Sequence, residues 1–566
     1  MDLIYLLAIV GTVLASIYLL YFSLLPKPIR GIPYNESSSR RLLGDIPALT
    51  THLSTTRSGT FTTYAASLMR TLNSPLIQVF IRPLNKPTLV LGDYAESYNV
   101  FVRRTREFDR SPTIGYMLLG FIPENHIHLR TNDKWKAQRR LLLGAMSAAF
   151  IYGVLGDVIG EGVAGLVELW RWKSRVAAGR PWSAAGDLYL LALGGIMAFT
   201  FGGHFGPGVV GVEEVEGSGE VAAEASDSVR ESDRDLPVDF PERALNKVFQ
   251  ATLNITCTMG ELRGSLMPRV KWELVRRRQR VKDAVKVMED NAQRELAKAV
   301  RKLHLSAETT PQSAVEHMVA HERELARKEG REPDYFSRVM VDEIAGFTIA
   351  AYETTGTTLC WGLKYLTDLP QIQCKLRLAL EAGYSAAMKA GRNPTIKEII
   401  STDIPYLDAT TQEILRFANP ATAVDREALV DTQILGHAVP KGTIVTCILP
   451  EPALISPADI AKDSSQRPAD TQPWDQPELA LFNPERWILD GQFNLDAAPR
   501  VAFGLGPRAC PGKRLAYLEI KAALVAVLWN FELLPCPTNL SGYEKVVLAT
   551  QKPKQCYLRL REVVRS

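Results

Sequence analysis

The residues best suited to chemistry lie late in the chain, in the run Phe503-Gly504-Leu505-Gly506-Pro507-Arg508-Ala509-Cys510-Pro511-Gly512. A tight Gly/Pro loop there runs into Leu515, Leu518, Ala522, Val525 and Trp529, apolar residues at helical spacing. Cys510 therefore sits at a helix N-terminus, where unpaired N–H groups and partial positive charge favour a thiolate over a thiol. Gly506 and Gly512, having no Cβ, allow backbone to approach a flat ligand closely. Arg508 can reach an anion on that ligand's edge. The competing reading is a half-buried core cysteine in a turn.

The elements that must position this loop can be read in order. The residues from Leu3 to Leu25 carry no charge and are almost wholly apolar. As a helix they span about 34 Å, enough for a bilayer core. The start is Met1-Asp2, and Lys27, Arg30, Arg40 and Arg41 follow the apolar run. This is the pattern of a retained anchor with a cytoplasmic body rather than a cleaved signal. Pro26, Pro28 and Pro33 predict a stiff hinge over residues 26–45.

Leu76–Ile81 and Thr88–Leu91 read as short strands, and Trp135 and Arg139 share one face of a helix. Leu188–Phe201 reads as an apolar helix, and Trp272–Leu303 as one long basic helix. His317 and His321 stand at a zinc-capable spacing, but charged neighbours point to an exposed helix face. Val341–Leu366 is apolar nearly all round except for Ala350-Ala351-Tyr352-Glu353-Thr354-Thr355. A Thr354 hydroxyl bonded to the Ala350 carbonyl would open that helix locally, and a buried Glu353 needs a task or a partner. The alternative is a capping box that starts a new helix. Leu407, Thr411, Ile414 and Phe417 form a stripe that also carries Glu413 and Arg416. Arg426–Asp431 and Leu435–Thr443 read as strand, turn and strand. The acidic piece 207–239 and the polar piece 452–473 read as surface insertions.

Composition bounds the function. The 566 residues are 46% apolar and 23% charged, with a net charge of +4 that gives no argument for nucleic acid. Seven scattered cysteines fit a reducing compartment rather than a disulfide framework.

The pattern Phe-x-x-Gly-x-Arg-x-Cys-x-Gly at Phe503–Gly512 resembles the haem-thiolate loop of the cytochrome P450 family. Four further patterns occur in that family's order: Trp135/Arg139, Ala350–Thr355, Glu413/Arg416 and Phe482-Asn-Pro-Glu-Arg486-Trp487. Ala351 departs from the family's usual Gly. The resemblance, to the microsomal eukaryotic and fungal-like type, implies a mostly α fold with a small β region. It also implies a single catalytic domain, residues 46–566, behind an N-terminal transmembrane helix, residues 1–25.

By resemblance the cofactor is heme b (iron protoporphyrin IX), with Cys510 as the axial ligand within the loop marked by Phe503, Gly506, Arg508 and Gly512. Trp135, Arg139, Arg426 and Arg508 would hold the propionates, and Glu353 and Thr354 would manage protons during O2 activation. Glu413, Arg416 and Arg486 would form a structural triad. The resemblance further implies an NADPH-dependent cytochrome P450 reductase as partner, with Lys136, Arg140, Lys513 and Arg514 as candidate contacts. The mostly apolar Ile114–Ile122 suggests a lipophilic small-molecule substrate, and the anchor an endoplasmic reticulum membrane, in secondary metabolism. With the body cytosolic, Asn35, Asn254 and Asn539 are expected to carry no sugar. Two other readings are a haem-thiolate isomerase or dehydratase and a non-enzymatic membrane haem sensor; NADPH-dependent turnover separates them from a monooxygenase.

Overall fold

The computed structural model describes residues 2–56, 59–113, 115–118, 120–205, 233–241, 245–263, 265, 267–305, 310–421, 423–448 and 481–565. The expected insertion 452–473 and most of 207–239 lie outside the described residues. The chain divides into two compact units.

The first unit comprises Met1–Ser111, Thr422–Leu481 and Leu505–Pro507. It opens with helix α1, Asp2–Leu24. The stretch Tyr5–Leu24 is long and apolar enough to cross a membrane, and none of it is buried against the protein. A five-stranded sheet follows, built from β1 (Leu76–Val79), β2 (Thr88–Leu91), β3 (Phe108–Arg110), β4 (Ala423–Ala428) and β5 (Ile444–Ile448), in the order β1-β2-β5-β4-β3. Only the β2–β5 pairing is parallel.

Strand alternation sends Leu76, Leu89, Leu91 and Val445 to one apolar cluster and Ile77, Val79 and Val90 to another, so the sheet is buried on both faces. The proline-rich segment does not hang free. Ile29 donates to the buried Gln78 side chain, which donates in turn to the Ile29 and Ile32 carbonyls.

Two expectations change here. The first strand ends at Val79, not Ile81. Leu435-Gly436 is not the start of a strand but the turn of a hairpin, Thr432–Ile434 with His437–Val439, and both turn residues have positive φ (47° and 78°).

The second unit comprises Pro112–Ala421, Phe482–Gly504 and Arg508–Ser566 and is mostly helical. Its main helices are α2 (Asp133–Leu143), α3 (Leu155–Ala177), α4 (Ala185–Phe201), α5 (Lys247–Arg263), α6 (Pro268–Val275), α7 (Gln279–Leu305), α8 (Ala314–Glu329), α9 (Arg338–Asp368), α10 (Pro405–Ala418) and α11 (Lys513–Asn530). Four short strands close the unit: β6 (Phe531–Leu534), β7 (Lys545–Val547), β8 (Gln551–Pro553) and β9 (Tyr557–Glu562). The central α9 packs on α4, α10 and α11, and its side chains are buried on nearly every side, as its all-round apolar sequence requires. Between α3 and α4, Lys173 donates to both Asp187 oxygens (2.8 and 2.7 Å) and Trp170 Nε1 to one of them (2.8 Å).

The single basic helix expected over Trp272–Leu303 is two helices, α6 and α7, broken at Arg276–Arg278. Arg278 and Arg280 both pair with Glu261 at the end of α5 (2.6 and 2.5 Å), which turns the chain back at the break. His317 and His321 are half-buried rather than exposed; the His317 ring meets Phe150 edge-on, 4.5 Å between centroids.

One buried acid in α11 carries a pH consequence. Glu519 is 6% exposed, and its Oε1 has no hydrogen-bond partner. Burial pushes its carboxyl up from 4.5 to about 8, against a hydrogen bond from Thr355. A raised carboxyl favours folding below its ordinary range, and that contribution is lost as pH rises from 4.5 toward about 8. Glu519→Gln is therefore expected to flatten this decline. In denaturant unfolding, the gap between variant and parent should widen by about 3 kcal/mol between pH 5 and pH 8. A gap that does not change with pH refutes the assignment.

Candidate functional site

In the second unit α2 starts on a good cap: the Asn132 side chain accepts the Trp135 N–H (2.9 Å). That start aims Trp135 and Arg139 inward along one face. The Arg139 guanidinium lies 5.7 Å from the Trp135 ring centroid, and Arg508, arriving from the cysteine loop, lies 4.6 Å from it. Trp135 Nε1 is buried and has no hydrogen-bond partner. Burial also holds the Arg139 guanidinium below its usual range, with the Cys510 sulfur and Glu343 as the opposing charges. Among the described residues, no carboxylate lies within ion-pair distance of Arg139. An unpartnered indole N–H and two guanidinium groups thus converge, and an anionic edge such as a propionate would accept from the indole.

The loop is closed by the Cys510 N–H donating to the Phe503 carbonyl (2.8 Å) and the Gly504 N–H donating to Val501 (2.7 Å). The Phe503 ring packs on Tyr517 of α11, 5.3 Å between centroids. Gly512 caps α11. The structure assigns the two glycines differently. Gly506, in the first unit, has φ +67°, and a Cβ there would stand 2.3 Å from the Phe101 carbonyl oxygen, so neighbouring backbone already demands a glycine. At Gly512 a Cβ would meet nothing closer than Cys510 Sγ at 3.8 Å.

The thiolate expectation is also modified. Cys510 keeps accessible surface although protein surrounds it on most sides. Burial pushes its thiol up and outweighs the Gly512 N–H and the Arg139 charge. The helix end alone does not ionise this sulfur; coordination to a metal would. Arg426 lies in β4 of the first unit, buried, 4.4 Å from the Phe101 ring centroid.

Along α9 the helix runs unbroken through Thr354, which excludes a new capped start there. The Thr354 hydroxyl donates to the Ala350 (3.2 Å) and Ala351 (2.9 Å) carbonyls. Glu353 is buried and held elsewhere: its Oε1 accepts from Thr550 Oγ1 (2.9 Å) and Thr550 N (3.3 Å). Burial raises its carboxyl above the ordinary range, and its Oε2 is buried with no partner.

Further up α9, Glu343 accepts from Asn125 Nδ2 (3.0 Å) and the His126 N–H (2.7 Å) and contacts His126 Nδ1 (2.7 Å), fastening the segment before α2. Sequence reasoning missed this anchor. Its one signal was a pair of acids, Asp342-Glu343, inside an apolar helix. Of Ile114–Ile122, positions 114 and 119 lie outside the described residues; Phe121 packs edge-on against Trp272, 4.8 Å between centroids.

The loop is reached through a buried ionic cluster. Glu413 accepts from Arg416 Nε and Nη2 (2.9 and 2.8 Å), the Asn483 N–H (2.8 Å), Arg486 Nε (3.0 Å) and Trp487 Nε1 (2.9 Å). The three residues grouped from sequence do meet, and Asn483 and Trp487 complete the set. Of the surface cations, Lys136 pairs with Asp133, Arg140 and Arg514 are exposed, and Lys513 is half-buried.

A mostly helical scaffold around α9 thus carries a loop cysteine and a buried corner of one indole and two guanidinium groups. A sequence model of the family described as Cytochrome P450 matches residues 46–557, and the chain belongs to that family, whose members are oxidoreductases. It is 34% identical to the cytochrome P450 monooxygenase TRI13 of Fusarium sporotrichioides, covering 97% of this chain and 98% of that one. It is likewise 34% identical to the cytochrome P450 monooxygenase GME11363 of Pestalotiopsis microspora (98% and 97%) and 32% identical to xilC of Penicillium rubens (98% and 96%).

The Glu413 cluster makes a sharp prediction. Glu413→Ala would leave two guanidinium groups buried without their carboxylate, at a cost of about 3–5 kcal/mol. We expect the variant to accumulate as aggregated or haem-free protein, scored by soluble yield and Soret absorbance. A soluble variant of parental stability refutes this role.

Proposed function

We propose that the protein is a membrane-anchored monooxygenase that oxidises a lipophilic small molecule with electrons from an NADPH-dependent reductase. The observation that carries the reading is the corner formed by Trp135 Nε1, Arg139 and Arg508 beside Cys510. An orphaned buried donor flanked by two cations fits a haem propionate and has no purpose in an empty core. Cys510 would ligate the iron, and Trp135, Arg139 and Arg508 would hold the propionate edge. Thiolate-ligated haem, when bound, supplies reductive activation of O2, with one oxygen atom going to the substrate and the other to water.

The chain's own part is positioning and proton supply. Thr354 Oγ1 fixes a hydroxyl on the surface of α9, and Glu353 holds a proton at Oε2, the oxygen left without a protein partner. Burial raises the Glu353 carboxyl above its ordinary range, the direction that a proton-delivering acid needs.

Lys136, Arg140 and Arg514 offer a basic surface to an acidic redox partner, with the half-buried Lys513 beside them. Helix α1 would hold the body at the endoplasmic reticulum membrane, where lipophilic substrates partition. One relative is described as a cluster enzyme, the Hps1-dma1 cluster cytochrome P450 monooxygenase cyp3.1 of Dothistroma septosporum, 41% identical over 45% of this chain. That description supports a place in secondary metabolism.

The reduced, carbon monoxide-bound spectrum of the purified chain is expected to show the red-shifted Soret band of thiolate ligation. Cys510→Ser should lose it. A parent without that band overturns the proposal. Difference spectra against lipophilic and charged metabolites then test the substrate class, which fails if only charged compounds bind.

A further inference from the structure

The carboxyl of Glu353 must regain each proton it gives up, and the structure shows a route. Thr550 Oγ1 donates to Glu353 Oε1 (2.9 Å), Thr357 Oγ1 lies 3.0 Å from Thr550 Oγ1, and Tyr189 OH lies 2.9 Å from Thr357 Oγ1. The three hydroxyls come from separate elements: the β7–β8 turn, α9 and α4. Each hydroxyl has one hydrogen to give, so the chain is polar. With Glu353 ionised, Thr550 is committed to the carboxylate; Thr357 must then donate to Thr550, and Tyr189 to Thr357.

The route is built into the packing. A Cβ on Gly356 would stand 2.4 Å from the Tyr189 ring, so only glycine lets that ring lie against α9. Arg263 donates to the Leu548 and Ala549 carbonyls (3.2 and 2.7 Å), which fixes the turn that presents Thr550. Thr357 and Thr550 are buried, whereas Tyr189 is half-buried and keeps some accessible surface, with the Lys552 ammonium 5.7 Å over its ring. The charged groups near Glu353 are Lys552 and Arg263; both lower its carboxyl, but burial outweighs them.

We propose that Tyr189, Thr357 and Thr550 form a hydroxyl relay that reprotonates Glu353 from solvent. This rests on the proton-supplying role proposed above for Glu353. One passage moves one proton and no electrons. Glu353 releases its proton from Oε2; Thr550 protonates Oε1, Thr357 protonates Thr550, Tyr189 protonates Thr357, and solvent restores the phenol. The four hydrogen bonds then point outward, and rotation of the groups resets them.

The test uses the full-length haem protein in vesicles with an NADPH-dependent reductase and no added substrate. Glu353→Gln, Thr550→Val, Thr357→Val and Tyr189→Phe are each expected to raise hydrogen peroxide released per NADPH oxidised, by about fivefold for the first two. Thr550→Ser should restore the parent ratio. Because a broken chain is broken once, Thr550→Val combined with Tyr189→Phe should be no worse than Thr550→Val alone. Independently of turnover, the infrared band of the protonated carboxyl, assigned by its loss in Glu353→Gln, should move to higher frequency in Thr550→Val and stay in place in Thr550→Ser.

If Glu353→Gln leaves the peroxide ratio unchanged, the acid's role fails, and the relay with it. If Glu353→Gln raises the ratio but the hydroxyl variants do not, or if the band is absent or unmoved, the relay alone is wrong.

Discussion

A single carboxylate, that of Glu413, accepts five hydrogen bonds from four residues with no exposure to solvent. One of those residues, Arg416, shares its helix, and the other three belong to the segment Asn483–Trp487 that leads toward the cysteine loop. The charge is tolerable in the interior only because every donor is in place; with one gone, the others face an unsolvated ion. That dependence gives the loop its fixed starting point. Trp487, fully buried, fills the space beside it in a small apolar cluster with Ala409 and Ala498.

Other buried charges of the second unit, such as Lys173–Asp187 and Glu343, are also satisfied, but two are not, and the contrast is informative. Glu413 meets two guanidinium groups, whereas Arg139 meets no carboxylate among the described residues. Glu353 has one oxygen satisfied and the other bare. Stable proteins keep such deficits few, and deficits beside a loop cysteine or inside a core helix mark places where a ligand, a water or a proton is expected to come and go. Glu519 is different: its environment simply favours the neutral acid.

Much of this was legible in the primary structure. Apolar periodicity located α4, α9 and α10 to within a few residues, and β2 to the residue, because burial on one stripe or on both faces is a strong local constraint. The Glu413 cluster was partly visible, since Arg416 and Arg486 stand in recognisable positions, but the indole and backbone donors had no signal. The break between α6 and α7 was invisible because it depends on Glu261, which lies outside the helical stretch it turns. The turn at Leu435-Gly436 was misplaced because a leucine at positive φ runs against local preference.

By itself the chain's order of residues determined the class of scaffold, the apolar N-terminal helix, the cysteine loop and the family, since each rests on short-range pattern or on motifs in series. Only the tertiary structure decided which donors meet which acceptors: that Glu353 turns to Thr550, that Glu343 fastens Asn125 and His126, and that Gly506 is demanded by Phe101. It also decided that burial, not the helix end, governs the Cys510 thiol. The physical reason is the same in each case. Desolvation and hydrogen-bond geometry act over a few ångströms of space, and residues hundreds of positions apart supply the partners.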